Sequence, residues 1–493
     1  MTDSVAPAPA RAGFVQGIGP TAAISMVVGT MIGSGIFIVS ADIARQTMQW
    51  GPAALLLVWV VTALMTVAGA LAYAELAAMM PKAGGQYVFL REGLSPLVGF
   101  LFGWTLFTVI QSGTIAAVAV ASGKFLAVLV PGVTPDVYLS LGKLSMPGGE
   151  IELGLSHQRV VALGLIIFLT AVNLLGVRFG ARVQTIFAAA KIGGIAVLVA
   201  LGLFAAPDAG LWSRNLTGFT GVEPWTLAML PVLGAAMVGS LFSADAWNNV
   251  TFAAAEVREP TKNLPRALFL GTLIVCGTYL LVNLAYLKVL AFPGDPAATD
   301  VVARGIAYAE QDRVGSAAAA ALLGPVGGSL MAIAIMVSAF GCVNGLVLAG
   351  PRVYYAMARD GLFFEKAGQL HPSFQTPTFG LITQAAWAMV LCLSGSYGNL
   401  LDYVIFASLL FYFFTVLALF RFRITQPDRP RPVKAFGYPV VPALYMAAVL
   451  VLMGILLFKK PLYTWPGLLI VALGVPVYFA WRKKGQVRGV GTA

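Results

Sequence analysis

The sequence predicts an all-α polytopic membrane protein, and three observations predict it. Of its 493 residues, 59% are hydrophobic and only 10% are charged. A soluble domain carries about 25% charged residues, so a chain this long cannot clothe itself in a polar surface and must be solvated by lipid. Its apolar runs are about 20 residues long, the length that crosses a hydrocarbon core as a helix. They do not alternate, which selects helices over a closed barrel, the other structure that satisfies its backbone inside lipid.

Twelve spans are expected, at 16–40, 52–79, 95–130, 159–176, 182–205, 225–255, 266–292, 320–350, 377–395, 399–420, 438–458 and 463–481. The third is too long for one vertical crossing, so a tilted helix with an extension outside the bilayer is expected. The N-terminal stretch Met1–Gly13 is rich in Ala and Pro. It lacks the basic start, short apolar run and small-residue cleavage site of a signal peptide. The net charge of +11 does not point to nucleic acid, because the basic residues sit in short links between spans. Links on one side hold most of them, including Lys82, Arg91, Arg258, Lys262, Arg352, Arg359, Arg421, Arg423, Arg429, Arg431 and Lys434. The basic side faces the cytoplasm, which places both termini inside. Cys276, Cys342 and Cys392 all lie in apolar runs and read as small buried hydrophobes.

Two links on the other side are long. Pro131–His157 is rich in Gly and Pro. Gly294–Ser316 contains Val301, Val302 and Ile306, spaced for a short amphipathic helix. It reads as an ordinary surface loop or as a lid over a vestibule. The triplet Asn215-Leu-Thr217 matches a glycosylation acceptor only weakly.

Two spans carry interruptions. The first reads Gly29-Thr-Met-Ile-Gly33-Ser-Gly35-Ile-Phe37. Each glycine costs a helix about 1 kcal/mol relative to alanine. Gly29 and Gly33 could serve close helix packing, but Gly33-Ser-Gly35 is a poor continuation for a plain helix. Unwinding there frees the amides of Ser34 and Gly35 at the start of a second half-helix, a setting that binds a carboxylate. The sixth span reads Phe242-Ser-Ala-Asp245-Ala-Trp-Asn248-Asn249. An aspartate at a helix centre costs about 2.5–3.5 kcal/mol on insertion scales, so Asp245 faces protein or water. A break here frees carbonyls of Phe242 and Ser243, which suit an ammonium group. Breaks in the first and sixth spans occupy corresponding positions of two five-span halves, the sequence pointer to a midplane site in an inverted-repeat transporter.

These residues resemble the L-type amino acid transporter branch of the amino acid–polyamine–organocation superfamily. The likeness runs through the two interrupted spans, Ala72–Leu76, Pro81–Tyr87, Glu256–Arg266, Phe340–Gly345, Arg352, Ala358–Gly361 and Phe436–Pro439. It implies a LeuT-type fold, with a five-helix repeat over 16–205, an inverted second repeat over 225–420 and two trailing helices over 438–481. It also implies that Ser34 and Gly35, flanked by Thr30 and Gly33, bind the substrate carboxylate. Carbonyls of Met31 and Phe242 would take its amino group. Phe242 would close over the substrate as an aromatic gate, and Ser243, Asp245, Trp247 and Asn248 would line the site. Ala244 stands where the family carries an aromatic residue, which leaves side-chain selectivity open.

Lys191 lies alone in the fifth span, about ten residues from its nearer end and too deep for easy snorkelling. It is either a structural lysine or a working one. In the resembling family a lysine here fills the space where sodium-coupled relatives bind an ion. There it donates to carbonyls near Gly29–Thr30 and to a hydroxyl such as Ser338, which implies sodium independence. Burial disfavours a charged amine, so proton loading on Lys191 is the alternative coupling scheme. Glu75 and Asp402 lie near span ends and read as packing groups. His157 and His371 lie far apart, so no metal pair is expected.

The expected function is sodium-independent secondary transport of neutral L-amino acids by alternating access, by exchange or proton symport. A carrier of cationic amino acids or polyamines is the alternative, with Asp245 as its acidic partner. No cofactor, metal or nucleic acid is expected, and no reactive constellation marks an enzyme. Mammalian-type members join a heavy subunit through a cysteine between spans three and four. The link Pro131–His157 has none, so no disulfide-linked heavy subunit is expected.

Overall fold

The structure, a computed structural model, describes residues 14, 16–146, 149–206, 208–394 and 397–487. The segment Met1–Gly13, read above as lacking a signal peptide, lies outside the described residues. In chain order the helices are α1 (Pro20–Met31), α2 (Val39–Thr47), α3 (Gly51–Met79), α4 (Gln86–Gly93), α5 (Pro96–Thr105) and α6 (Gln111–Leu129). Then follow α7 (His157–Leu174), α8 (Val177–Phe204), α9 (Ala209–Thr217), α10 (Leu230–Ser243), α11 (Asn249–Phe252) and α12 (Pro260–Val289). The last are α13 (Val301–Arg304), α14 (Val314–Arg359), α15 (Thr378–Cys392), α16 (Tyr397–Thr425), α17 (Val440–Lys459) and α18 (Pro461–Val487). Among the described residues, nine helical stretches are long and apolar enough to cross a bilayer, counting Val39–Met79 and Pro96–Leu129 as one each. Shorter apolar helices at Pro20–Met31, Leu227–Ser243 and Thr378–Cys392 stand among them. Proline occupies the first turn of α1, α3, α5, α10 and α12, where a missing N–H breaks no helical hydrogen bond.

The bundle packs through small residues. A Cβ on Gly271 of α12 would lie 2.5 Å from Val27 Cγ1 of α1, so only glycine lets these helices approach so closely. α3 packs on α12, α6 on α14 and α7 on α15. α1 packs on α8 and α12, while α10 packs on α16 and α3.

Within span 16–40 the helix stops at Met31 and resumes at Val39, across the interruption read in the sequence. Several other boundaries depart from the sequence reading. The expected span 320–350 runs from Val314 to Arg359, bending at Gly324, whose φ of 69° leaves helical space beside Pro325. α5 and α6 form one long helical run, as expected, joined through a π-helical stretch at Leu106–Ile110. The link Pro131–His157 is more than a loop: Leu139–Met146 and Gly149–Leu155 pair as an antiparallel hairpin. The pairs Leu139/Leu141 and Leu144/Met146 alternate on either side of Gly142, near the register shift, and were the available signal. Asp300 caps α13 through a 2.9 Å bond from Ala303 N. Ile306 is buried, but Val301 is exposed, so the expected amphipathic face is only partly used. Asn215 is buried and its Nδ2 donates to Leu287 O and Leu290 O. Its amide is structural, and the glycosylation triplet is not an accessible acceptor.

Candidate functional site

The site is built where two helices stop inside the bundle. α1 ends at Met31 because Ile32 leaves helical space, with φ −76° and ψ 93°. The chain passes through Gly33 and Ser34 into a single tight turn at Gly35–Phe37 before α2 begins. α10 ends at Ser243, and Ala246 takes a φ of 65° before α11 starts at Asn249. A left-handed residue that is not glycine costs about 1–2 kcal/mol, so the surroundings hold this bend in place. The breaks touch. A Cβ on Gly35 would lie 2.9 Å from Ser243 Cβ and 3.1 Å from its Cα. Thr30 Oγ1, which sits 2.8 Å from Met26 O in its own helix, also lies 3.1 Å from Ala246 O.

The first break divides its polar groups sharply. Its carbonyls are taken by protein donors. Lys191 Nζ, 2% exposed on α8, donates to Gly29 O at 2.8 Å and Ile32 O at 2.6 Å. Cys342 Sγ donates to Thr30 O at 2.9 Å. Ser338 Oγ lies 3.1 Å from Ile32 O and 3.0 Å from Gly33 O. Tyr279 OH reaches Met31 O at 3.1 Å, and Tyr286 OH reaches Ile36 O at 3.3 Å. The donors are left over. Neither the Ser34 nor the Gly35 amide has an acceptor among the described residues, and Ser34 Oγ is buried without a partner. Buried polar groups in proteins are almost always paired. Three unpaired groups at one turn therefore favour an acceptor that is not protein.

The second break is richer in oxygen. Ser243 O accepts from Tyr279 OH at 2.9 Å, and Phe242 O accepts from Asp245 N at 3.2 Å. Met31 O, expected to face an ammonium, accepts from Gly33 N at 3.0 Å with Tyr279 OH beside it, and Phe242 O accepts from Ala244 N as well, so protein donors already engage both carbonyls. Asp245 is 6% exposed. Tyr412 OH donates to its Oδ1, and no basic side chain pairs with it among the described residues. Asn248 Nδ2 donates to Gln86 Oε1 at 2.6 Å. Trp247 is packed edge-on to Tyr73 at 4.7 Å and beside Tyr412 at 5.2 Å. Phe242 and Ser243 close the last turn of α10, both buried.

The structure brings Thr30, Met31, Gly33, Ser34, Gly35, Ser243, Lys191 and Ser338 into one cluster. Lys191 and Ser338 do not bond to each other as expected; they meet at the Ile32 carbonyl. Sequence reasoning missed Cys342, Tyr279, Gln86 and Tyr412. A tyrosine inside an aliphatic run was the available signal, because a buried phenol needs a partner.

A vestibule of about 570 Å³ leads to this cluster from one end of the bundle. It reaches Ile38, Val39, Val238 and Gly239, which adjoin the two breaks. Asp312 holds its rim through Arg45 at 2.6 Å and Lys124 at 3.7 Å, and Lys460 pairs with Asp402 at 3.1 Å. Around Asp245 two smaller cavities of about 10 and 20 Å³ remain, each of the order that admits one water.

The other end is sealed. Ile18 pairs with the segment after α11, accepting from Arg258 N and donating to Glu256 O, both at 2.9 Å. Arg352 Nε donates to Glu256 Oε1 at 2.8 Å, with both side chains buried. Glu75, read as a packing group, anchors Arg423 at 2.7 Å, Arg431 at 3.2 Å and the Ala435 amide at 2.7 Å.

Among proteins of known function, the amino acid permease family model matches residues 18–480. The chain is 31% identical to the serine/threonine exchanger SteT of Bacillus subtilis (strain 168), covering 96% of this chain and 98% of that one. It is 31% identical to the human large neutral amino acids transporter small subunit 2, over 95% of this chain and 81% of the relative. With the mouse b(0,+)-type amino acid transporter 1 the identity is 28%, over 94% and 87%.

Proposed function

The chain belongs to the amino acid permease family, and from that premise we propose that it is a sodium-independent exchanger of neutral L-amino acids in the cytoplasmic membrane. The observation that carries this reading is the cluster of unpaired donors at Ser34 and Gly35. They suit a carboxylate, the group all amino acids share, held by amides at a helix break. Carbonyls of Met31 and Phe242 take the amino group in exchange for protein donors that now hold them, and Phe242 closes over it. Exchange is favoured by the likeness to a serine/threonine exchanger.

Sodium independence rests on Lys191. Its ammonium donates to Gly29 O and Ile32 O, the kind of carbonyl pair that would otherwise coordinate a cation. The fold reading is twelve crossings with the first and sixth unwound near the midplane, organised as repeats over 16–205 and 225–420 followed by two helices over 438–481. The packing supports it: α3 on α12, α6 on α14 and α7 on α15 are each pairs of corresponding helices under that repeat. Both termini face the cytoplasm, so the vestibule opens outward. No disulfide-linked heavy subunit is involved, since the three cysteines sit buried in helices.

The deciding measurement is uptake of labelled L-amino acids into proteoliposomes in sodium-free buffer. Vesicles preloaded with amino acid should accumulate label at least tenfold faster than empty ones. A requirement for sodium, or equal rates in both, would overturn the exchanger.

Asp245 favours a second reading, in which cationic amino acids are carried. Its buried carboxylate lacks a basic partner among the described residues, and an ammonium or guanidinium on the substrate would supply one. If so, lysine and arginine compete with labelled substrate in the wild type and lose that competition in Asp245→Asn, while serine competes in both. Failure of lysine and arginine to compete in the wild type eliminates this reading.

A further inference from the structure

On the sealed end of the bundle a groove of about 820 Å³ runs between α4, the end of α14 and α18. Three guanidiniums line it, from Arg91, Arg359 and Arg482, against the single carboxylate of Asp360. That carboxylate is already engaged by Arg91 and by Tyr87 OH at 2.7 Å. Arg359 and Arg482 have no carboxylate partner and no hydrogen bond among the described residues. Two like charges on one groove repel each other, and both retain their full set of donors. A guanidinium presents a planar fork that matches phosphate oxygens in pairs.

The wall formed by α18 fixes the depth of the groove. Phe479 lines the groove and is exposed, and the run Tyr478, Phe479, Trp481 passes directly into Arg482. Aromatic residues followed by basic ones mark the level of lipid headgroups. The groove therefore meets phosphate on its charged side and acyl chain on its apolar side. We propose that it seats an anionic phospholipid, with Arg359 and Arg482 holding the headgroup phosphate and the exposed ring of Phe479 on α18 receiving an acyl chain. Bound there, the lipid fastens α18, which packs on α5 and α16, to the end of α14.

The test uses the full-length protein in detergent, with phosphatidylglycerol, phosphatidylcholine or inorganic phosphate added. Lipid retained per protein is counted by native mass spectrometry, and the melting temperature is followed in parallel. Phosphatidylglycerol should be retained and raise the melting temperature, while phosphatidylcholine and inorganic phosphate should not. In Arg359→Gln/Arg482→Gln, retained phosphatidylglycerol should fall at least fivefold, with the melting temperature in phosphatidylcholine unchanged. Arg482→Lys, which keeps the charge and loses the fork, should fall in between, and Lys434→Gln, an exposed basic residue elsewhere, should retain lipid like the wild type. Wild-type retention by the double variant would overturn the proposal. So would an equal response to inorganic phosphate, which would mark a site for free anion rather than lipid.

Discussion

Lys191 shows most directly how one side chain shapes the site. A lone ammonium in an apolar helix is costly, and its two carbonyl partners offset that cost. Gly341 makes room for it, since a Cβ there would come within 3.3 Å of Nζ. Lys191→Met keeps much of the volume and strands Gly29 O, leaving Ile32 O only the Ser338 hydroxyl that it shares with Gly33 O. At about 1–3 kcal/mol for each buried group left unpaired, the melting temperature should drop and uptake should fall at least tenfold. A variant with normal uptake would remove Lys191 from the mechanism. Its position was legible because the cost of such a lysine demands an explanation. Cys342 was not legible, because a cysteine in an apolar run is usually a small hydrophobe. Only the fold brings its Sγ to Thr30 O.

Among the elements, the interrupted helices were the most readable part of the sequence. Glycine, serine and aspartate inside apolar runs oppose a continuous helix locally, and no tertiary information is needed to see it. The long reach of α14 was less readable, since Gly324 and Pro325 look like an ending and act as a bend. The hairpin between α6 and α7 was missed because glycine and proline masked its alternation. Contact between the two breaks yields a sharp expectation. Gly35→Ala drives a methyl into Ser243 and must push α10 away or twist the turn, a strain of about 1–3 kcal/mol. Substrate affinity should fall by at least an order of magnitude by scintillation proximity binding, while the protein still folds. Unchanged affinity would mean that the amides beside Gly35 do not bind the carboxylate.

At the scale of the whole molecule, one end is open and the other is sealed by buried charge. Removing one partner of a buried ion pair costs about 3–5 kcal/mol, so Glu256→Gln should loosen the sealed end. A cysteine introduced by Val257→Cys should react with a thiol probe faster in this background than in the parent. Glu256→Gln/Arg352→Met should regain part of the lost melting temperature, because it leaves no orphaned guanidinium. If the double variant is no better than the single, the pair is not the seal. Tyr279 carries a wider consequence. Its phenol lies between Met31 O and Ser243 O, one on each broken helix, and it has one hydrogen to give. Whichever carbonyl loses it gains affinity for another donor, so occupancy at one half of the cavity is thermodynamically coupled to the other. An ammonium settling on either carbonyl turns the phenol toward the other broken helix, while a molecule with only a carboxylate, which donates nothing, leaves it where it was.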